Sequence, residues 1–597
     1  MNFRLGTGGG GGWGWTKGVG PGGGGGWGWT KGVGPVVTGV MFGLVALGLG
    51  CGPVVGGIGV VGSGVTGVES ERCCVSFCEV SSGPGTQKQV VIIGAGISGL
   101  VACKYCLSKG FKPIVFESMG DIGGVWAKTI RTTRLQTFKG MYEFADFPWP
   151  ASVTEDFPTQ HQLLNYLRSY ATHFDLIKHI QFNSVVKEID YQGPSSFSWT
   201  DWSGLHKTFP NGKWKVTVEN NESQTKVHDA DFVILCVGRF KDVPNIPEFT
   251  TGTGPEVFRG KVIHSMEYSA MEHEKAEEFV KGKRVVVVGF SKQGLDIAME
   301  CSSVNGTENP CTVVYRKDRW KLPDFSPWGI PLQYLYLNRF SELMVHKPGE
   351  GFLLGLLATL LSPLRWGISK LVETHIKRKL PLAKFNMIPE RNFAKDMRSC
   401  VIAALPGDFF DRAETGSIIM KKCPRFSFYN DGVLIDGESK PIQADIVILA
   451  TGFKGIQKLK NIFKSQEFGD SIAVSPDSRV ALYRECIQPK IPQLAVIGFS
   501  ESFSNLFTSE IRCRWLVELL DGKFQLPSIK EMEKDISNWD DYMKRSSGEY
   551  YKRSCLTALD IWYNDQLCKD IGWNPRRKNG FWADLFQPYG PMDYAKP

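Results

Sequence analysis

Two parts of the chain begin with a short, wholly apolar run that leads directly into glycines and then into a helical pattern. The first run is Val90-Val91-Ile92-Ile93 and the second is Val285 to Val288. A β-branched run without polar alternation is typical of a strand buried on both faces of a parallel sheet. The pattern therefore predicts an α/β protein built from at least two strand–turn–helix units.

The first unit has the turn sequence Gly94-Ala95-Gly96-Ile97-Ser98-Gly99. In such a turn the first glycine permits a tight bend, the second lets the backbone approach a pyrophosphate, and the third lets the helix pack closely on the strand. A helix is predicted from Ile97 to Lys109, with its N-terminus directed at the phosphates. The next strand, Pro113 to Phe116, ends at Glu117, an acid that is expected to accept hydrogen bonds from ribose hydroxyls.

The second unit repeats this plan with the turn Gly289-Phe290-Ser291-Lys292-Gln293-Gly294. Ser291 replaces the middle glycine, so close approach of a pyrophosphate to the backbone is expected to be less free. After the strand Thr312 to Tyr315 comes Arg316, a cation that suits the 2′-phosphate of NADPH and disfavours NADH. A surface-charge run made of Arg316, Lys317 and Arg319 is the alternative interpretation. The two units together predict two Rossmann-like dinucleotide-binding domains.

Between the two turns, Phe258 to Tyr268 reads Phe-x-Gly-x-x-x-His-x-x-x-Tyr. This spacing resembles the fingerprint of flavin-containing monooxygenases, and the resemblance extends from about Lys88 to the C-terminus. Baeyer–Villiger monooxygenases have a similar fingerprint that typically carries Trp at the position of Tyr268, so Tyr268 favours oxygenation of a heteroatom. The resemblance also covers two further segments that are expected to contact the cofactor. In the segment Gly123 to Trp126 the expected contacts are Gly124, Val125 and Trp126. In the segment Asp445 to Phe453 they are Thr451 and Gly452. Three more segments resemble the plant branch, close to its defence-associated members: Asp146 to Pro150, Ser500 to Leu506 and Asp560 to Asp565.

The resemblance implies FAD in the first domain and NADPH in the second. In the family, NADPH reduces FAD, the reduced flavin captures O2 as a C4a-hydroperoxide, and one oxygen atom passes to a nucleophilic N or S of a small metabolite, with N-hydroxylation of an amine or amino acid favoured here. Gln136 stands where many animal members have an Asn thought to assist the oxygenated flavin. His264 is the fingerprint histidine, and two alternatives are open for it: a direct catalytic role, or a hinge role that links the domains without a chemical contribution. No metal is required.

Two alternatives to this function follow from Ser291. A weakened second turn would contribute to an uncoupled NADPH oxidase that releases H2O2. It would equally suit a non-catalytic, flavin-binding regulatory protein.

The expected division of the chain has four parts. Residues 1–86 form a low-complexity, Gly-rich extension, expected to be disordered or a weak membrane anchor, because Gly8 to Pro21 is repeated identically as Gly22 to Pro35. Residues 87–245 are the first part of the FAD domain. Residues 246–445 form an inserted NADPH domain with a substrate-side insertion. Residues 446–597 complete the FAD domain, with a strand re-entering it near Ile446.

The net charge and the cysteine content limit the partners and the compartment that we expect for the protein. A net charge of +8 on 597 residues is modest, and no basic helix or aromatic-interleaved patch suggests nucleic acid. The 15 cysteines show no disulfide framework, which favours a reducing compartment and a cytoplasmic protein. Cys103 and Cys106 form a Cys-x-x-Cys that could belong to a disulfide reductase, but their place on the apolar stripe of the first helix favours packing.

Membrane contact is left open by one further segment. Phe352 to Leu361 is apolar but too short to span a bilayer, and basic residues follow it at Lys377 to Lys379. The alternatives are core packing, a cover over the substrate channel, and an interfacial contact with a membrane such as that of the endoplasmic reticulum.

Overall fold

The computed structural model describes residues 88–193, 212–473 and 478–596. The predictions for the Gly-rich extension lie outside these residues. In chain order the strands are β1 (Gln89–Ile93), β2 (Lys112–Phe116), β3 (Ile180–Gln181), β4 (Ser184–Gln192), β5 (Lys213–Asn220), β6 (Thr225–Ala230), β7 (Phe232–Leu235), β8 (Lys261–His264), β9 (Val285–Val288), β10 (Cys311–Tyr315), β11 (Lys321–Leu322), β12 (Ala403–Ala404), β13 (Ile418–Lys422), β14 (Phe426–Tyr429), β15 (Gly432–Ile435), β16 (Ile442–Gln443), β17 (Ile446–Leu449) and β18 (Leu494–Val496).

The α-helices are α1 (Ile97–Ser108), α2 (Gln160–His173), α3 (Ser265–Ala270), α4 (His273–Val280), α5 (Lys292–Asn305), α6 (Leu332–Tyr336), α7 (Arg339–Leu343), α8 (Phe352–Lys379), α9 (Phe393–Met397), α10 (Phe409–Thr415), α11 (Gly455–Asn461), α12 (Gln466–Ile472), α13 (Asn505–Leu520), α14 (Ile529–Ser547), α15 (Asp560–Ile571) and α16 (Phe581–Phe586).

The first sheet has the strand order β18-β7-β1-β2-β3, and all its pairs are parallel. Alternate residues of β1 point to opposite faces, and both faces are covered. Val90 and Ile92 pack with helices α1, α13 and α15, whereas Val91 and Ile93 pack against β5, α11 and α12. This double burial explains why the strand is apolar at every position.

The second sheet has the order β13-β10-β9-β17-β8 and is also wholly parallel. Val285 and Val287 pack against α4, α5 and the α6–α9 insertion, and Val286 and Val288 pack against the hairpins β14–β16. The strands and helices predicted around both glycine turns are therefore confirmed as an α/β fold with two parallel sheets.

The two sheets follow the same plan, and this corrects one expectation. In the first sheet β1, β2 and β3 are followed by the antiparallel meander β4-β5-β6 and then by the parallel strand β7. In the second sheet β9, β10 and β13 are followed by the meander β14-β15-β16 and then by β17, and the strands β18 and β8 occupy the equivalent edge of each sheet. Strand Ile446–Leu449 pairs with Val285–Val288 and Lys261–His264, in the interior of the second sheet. The expectation that it re-enters the flavin domain is wrong: it completes the second sheet, and the first sheet resumes only at β18.

Two crossings connect the sheets, and they are bonded to each other. Asn245 lies on the outgoing segment and Thr451 on the returning one. The Asn245 side-chain amide donates to the Thr451 carbonyl at 3.1 Å, and Thr451 Oγ1 donates to the Asn245 carbonyl at 2.5 Å. A Cβ at Gly455 would lie 2.3 Å from the Arg239 carbonyl oxygen, so the two backbones are in direct contact there.

Among the described residues, two pairs of cysteines bear on the predictions from the sequence. Cys103 and Cys106 are fully buried in the core around α1, which confirms the packing interpretation. Cys400 and Cys555 form a disulfide across 155 positions of sequence, joining the segment after α9 to the segment before α15. The sequence shows no regular disulfide framework and did not predict this pair, because its spacing carries no motif. The disulfide also removes the support that the cysteines gave to a reducing compartment.

Helix α8 is continuous through Pro363 and longer than its apolar part suggested. Within the described residues, it is the helix whose length and composition would allow it to cross a membrane. Its first half faces outward, with Phe352 83%, Leu353 78% and Leu360 68% exposed. Core packing is therefore wrong for this half, and no residue of α8 lines the larger cavity described below, so the structure gives no support to a channel cover.

Candidate functional site

The first glycine turn has the geometry that its sequence predicts. Gly94 has φ +105°, a conformation that favours glycine. A Cβ on Gly99 would lie 1.8 Å from the Gly94 carbonyl oxygen, so helix α1 packs directly on the turn. Gly96 is extended and open on one side, because the nearest atom to a Cβ there is Gly124 Cα at 3.4 Å. The open side is where a ligand would approach.

Glu117 is buried at the end of β2 and binds the same turn. Its Oε2 accepts the Ala95 N–H at 2.7 Å, and its Oε1 accepts the Met119 N–H at 3.0 Å. The Ala95 carbonyl in turn accepts the Gly123 N–H at 3.0 Å. The first turn, the acid and the segment Gly123 to Trp126 thus form one hydrogen-bonded unit.

A cavity of about 490 Å³ opens over this unit. It is lined by Gly94, Gly96, Ile97, Ser98, Glu117, Gly124, Val125 and Trp126, among others. The positive end of α1, the glycine backbone and a buried carboxylate are the groups that bind a diphosphate and a ribose. The residues present therefore fit the adenosine diphosphate half of FAD.

The second turn has the same backbone shape despite Ser291. Ser291 has φ −91° and ψ 177°, close to the φ −75° and ψ −172° of Gly96. These extended values are open to any residue, so the turn does not need glycine there. Gly289 has φ +131°, and a Cβ on Gly294 would lie 2.4 Å from the Gly289 carbonyl oxygen. The two glycines that geometry requires are present.

The basic run after β10 contains one cation that is free to bind a ligand. Lys317 pairs with Glu549 at 2.7 Å, and the Arg319 guanidinium lies 5.2 Å from the centre of the Tyr550 ring. Arg316 is exposed and makes no ion pair or hydrogen bond with another described residue. It lines the larger cavity near Ser291, as a 2′-phosphate contact should.

The larger cavity, about 1880 Å³, brings most of the remaining predicted residues together. Its lining includes Val125, Trp126, Gln136, Gly289, Phe290, Ser291, Lys292, Gln293, Arg316, Thr451 and Gly452. Ala95, Gly99, Gly294 and His264 line neither cavity. The first three instead fix the turns.

His264 is buried and caps helix α3. Its Nδ1 accepts the Met266 N–H at 3.1 Å, and its ring meets Phe453 edge to face at 5.3 Å. Burial lowers the pKa of His264, so the ring is neutral at pH 7. These contacts match the hinge interpretation, because they connect β8 to the crossing segment after β17.

A loop of the first domain carries Gln136 and is attached to helix α5 of the second. Thr132 Oγ1 donates to Glu300 at 2.6 Å, and Thr133 Oγ1 donates to Asp296 at 2.7 Å. Glu300 also accepts the Tyr268 hydroxyl at 3.2 Å. The fingerprint tyrosine therefore supports a carboxylate that fixes this loop.

A charged cluster that the sequence did not predict lies where the two cavities share lining residues. Glu501 lines both cavities, pairs with Arg553 at 2.5 Å and lies 3.9 Å from Arg239. Glu501 Oε1 is buried and lacks a hydrogen-bond partner among the described residues. Glu501 belongs to a segment that resembles the plant branch, but nothing in the local sequence indicates that it meets Arg239.

The site contains two dinucleotide-binding turns, and the second strand of each unit is followed by a suitable residue, Glu117 or Arg316. The two turns open onto cavities that share lining residues. This arrangement defines a flavoprotein oxidoreductase that binds two dinucleotides. A model of the flavin-binding monooxygenase-like family matches residues 87–584, and the chain belongs to that family. "Probable flavin-containing monooxygenase 1" of Arabidopsis thaliana is 39% identical over 521 residues, 85% of this chain and 96% of the relative. "Dimethylaniline monooxygenase [N-oxide-forming] 2" of Mus musculus is 30% identical, covering 83% of this chain and 85% of the relative.

The fold is also found in the crystal structure of the OTEMO complex with FAD and NADP. That structure superposes with a TM-score of 0.58 at 16% identity, covering 82% of this chain and 98% of the other. The protein is thus a plant-type flavin-containing monooxygenase, an oxidoreductase that uses FAD and NADPH. The roles given above to individual residues stay predictions.

Proposed function

We propose that the protein transfers one oxygen atom of O2 to a nucleophilic nitrogen or sulfur of a small metabolite, at the expense of NADPH. The observation that carries the proposal is the pair of glycine turns whose cavities share several lining residues, including Val125, Trp126, Arg239 and Glu501. Such an arrangement suits electron transfer between two bound dinucleotides. FAD, when bound, supplies the oxygen activation.

The chain's own part in binding FAD begins at the first turn. The backbone of Gly94 to Ser98 and the N-terminus of α1 bind the diphosphate, and Glu117 accepts from the ribose. Glu117 keeps acceptor capacity for this, because a carboxylate offers about four lone-pair sites.

NADPH binding rests on the second turn and Arg316. The N-terminus of α5 and the turn from Gly289 to Ser291 bind the diphosphate, and Arg316 forms the charge-assisted contact with the 2′-phosphate. Gln293 fixes this turn against helix α3, since its Oε1 accepts a hydrogen bond from the Ser265 hydroxyl at 3.0 Å and its Nε2 donates to the Ser269 hydroxyl at 3.1 Å.

The remaining wall of the larger cavity serves to exclude water and orient the substrate. It is largely apolar and includes Phe325, Leu332, Tyr336, Phe393 and Met397. Gln136 is half-buried there, and its amide has no hydrogen bond to another described residue. It is therefore available to donate a hydrogen bond at the reacting centre.

Tyr268, the fingerprint residue associated with heteroatom oxygenation, favours nitrogen or sulfur over a ketone. Nitrogen is the favoured target of the two, because the mouse relative is named as N-oxide-forming. An amine or amino acid is the proposed substrate, and a defence role remains a prediction. The test measures NADPH consumption, H2O2 and oxygenated product with a panel of amines, amino acids and thioethers. Product equal to NADPH consumed supports the proposal. Peroxide alone indicates an uncoupled oxidase, and bound FAD without turnover indicates a regulatory protein.

We further propose that the enzyme contacts a membrane surface through the exposed half of α8. Phe352, Leu353, Leu360 and Trp366 present an apolar surface, and Lys377 to Lys379 end the same helix with positive charge. This combination suits an interfacial contact with anionic lipid. Sedimentation with vesicles containing phosphatidylserine should capture the protein, and the double variant Leu353→Glu, Leu360→Glu should stay in the supernatant. Equal recovery of both proteins would contradict the proposal.

A further inference from the structure

Lys321 is the one lysine of the larger cavity's wall that is almost fully buried, with 1% of its surface exposed. Its Nζ donates to the Phe290 carbonyl at 2.9 Å and lies 4.4 Å from the centre of the Phe290 ring. Within the described residues, no carboxylate lies within 4.0 Å of this ammonium. A buried cation without a counter-ion is costly, so a position of this kind calls for an explanation.

The first glycine turn contains an equivalent hydrogen bond to a turn carbonyl. There, the carbonyl of the second turn residue, Ala95, accepts the backbone N–H of Gly123 at 3.0 Å. In the second turn the corresponding carbonyl belongs to Phe290, and Lys321 supplies the donor. In both turns the carbonyl of the second residue thus accepts a hydrogen bond from a donor outside the turn. Only in the second turn is that donor a charged side chain.

We propose that Lys321 is a positioning residue for NADPH, which fixes the Phe290–Ser291 peptide so that the Ser291 N–H is directed at the cofactor's diphosphate. In a trans peptide the C=O and the following N–H point in opposite directions, and the described chain has no cis peptide. An ammonium on the carbonyl also polarises the peptide and strengthens its N–H as a donor to an anion. This inference rests on the proposed function, which places NADPH at this turn.

The charges around Lys321 support an anionic ligand as the missing partner. Asp318 and Arg319 precede it on its own segment, and Asp396 faces it from α9. Asp396 is already bound by Arg391 at 2.8 Å, and Asp318 pairs with Lys422 at 2.5 Å. Burial is the main cause that lowers the pKa of Lys321 to about 7. A bound diphosphate would therefore favour the protonated lysine.

The protonation of Lys321 gives the affinity for NADP⁺ a predicted dependence on pH. Below pH 7 the ammonium is present in the free protein, and it is lost as the pH rises through about 7. The affinity for NADP⁺ should therefore fall between pH 7 and pH 9, a range in which the 2′-phosphate stays ionised. A residue with only a packing role would give no such change.

The test is equilibrium titration of the FAD-loaded protein with NADP⁺ by calorimetry, at several pH values from 6.5 to 9. Lys321→Met keeps the length and apolar packing of the side chain. We expect it to raise the dissociation constant roughly tenfold or more at pH 6.5, with the two proteins converging near pH 9. Lys317→Met removes a nearby exposed cation that is paired with Glu549, and it should leave the profile unchanged.

Each outcome decides between the two proposals. If the wild-type protein does not bind NADP⁺, the proposed function fails. If it binds, but Lys321→Met binds equally well across the range, the role of Lys321 is refuted. FAD content and the melting temperature show whether the variant is folded. Should it not fold, the wild-type profile decides alone, since an affinity that is constant from pH 7 to pH 9 overturns the inference.

Discussion

Thr133 donates a 2.7 Å hydrogen bond to the Asp296 carboxylate across 163 positions of sequence, and both side chains are buried. Thr133 belongs to the loop that carries Gln136, and Asp296 to the helix that begins at the second glycine turn. The bond therefore fixes the distance between the part of the wall proposed to assist oxygenation and the part proposed to bind NADPH. Coupling between the two half-reactions should depend on it.

Thr133→Val is expected to weaken this coupling. Valine has nearly the same shape but leaves Asp296 with Lys292 as its remaining partner. We expect NADPH oxidation to continue while the fraction of electrons recovered as H2O2 rises, with a loss of about 1–3 kcal/mol in the free energy of unfolding. Paired assays of NADPH and peroxide measure this. Thr415→Val, which removes an exposed local bond to the Arg412 carbonyl, is the matched control. Unchanged peroxide in Thr133→Val would contradict the prediction.

Gly96→Ala is expected to abolish retention of FAD without unfolding the protein. The backbone of Gly96 is extended, and the added Cβ would contact Gly124 Cα at 3.4 Å, an ordinary contact. The methyl group would instead occupy the surface that a diphosphate approaches. Flavin absorbance per mole of purified protein measures the effect. Gly407→Ala, at an exposed position with no atom near the new Cβ, should keep its flavin. Normal FAD content in Gly96→Ala would refute the site.

Arg316→Ala should raise the Michaelis constant for NADPH, by roughly tenfold or more, and leave the use of NADH little changed. The reason is that the 2′-phosphate, which NADH lacks, would lose its charge-assisted contact. Steady-state kinetics with both nucleotides provide the measurement. Lys317→Ala changes the adjacent cation, which is engaged with Glu549, and should affect neither constant. An equal rise in the Michaelis constants for NADPH and NADH would show that Arg316 does not bind the 2′-phosphate.

His264→Asn is expected to retain activity within a few-fold, because the side chain lines neither cavity and asparagine also caps helices well. The pKa of His264 is lowered by burial, so the unfolded chain binds its proton more readily. Wild-type stability should therefore fall as the pH drops below the ordinary value of about 6.5, and the variant should lose that slope. Denaturant unfolding from pH 5 to pH 8 measures it. A drop in activity of a hundredfold in the folded variant would instead support a direct role.

Reduction of the Cys400–Cys555 disulfide should destabilise the protein. The bond closes a long loop, and such a cross-link contributes about 2–5 kcal/mol by restricting the unfolded chain. Thermal unfolding with and without a dithiol reductant should show a lower midpoint after reduction. The double variant Cys400→Ser, Cys555→Ser should have that lower midpoint already and not respond to reductant. A reductant effect of the same size in this variant would point to another cause.

Local sequence signals were sufficient to predict the strands, turns and helices around both nucleotide sites. Apolar β-branched runs, glycines at fixed spacing and the residue after the second strand are local signals, and each was confirmed as a strand, a turn or a strand end. Local signals also identified Cys103 and Cys106 as packing residues. They could not assign Ile446–Leu449 to its sheet, because a strand buried on both faces looks alike in either domain.

The contacts between residues that are distant in sequence became visible only in the folded chain. The bond between Thr133 and Asp296, the Cys400–Cys555 cross-link and the contact of Lys321 with Phe290 all join segments whose separation carries no periodicity. The structure likewise showed that Ser291 takes the backbone shape of Gly96, so the shape of the second turn does not depend on glycine there. The physical reason is that spacing along the chain records local geometry, whereas partners across domains are fixed by how two complete sheets and their connecting segments pack.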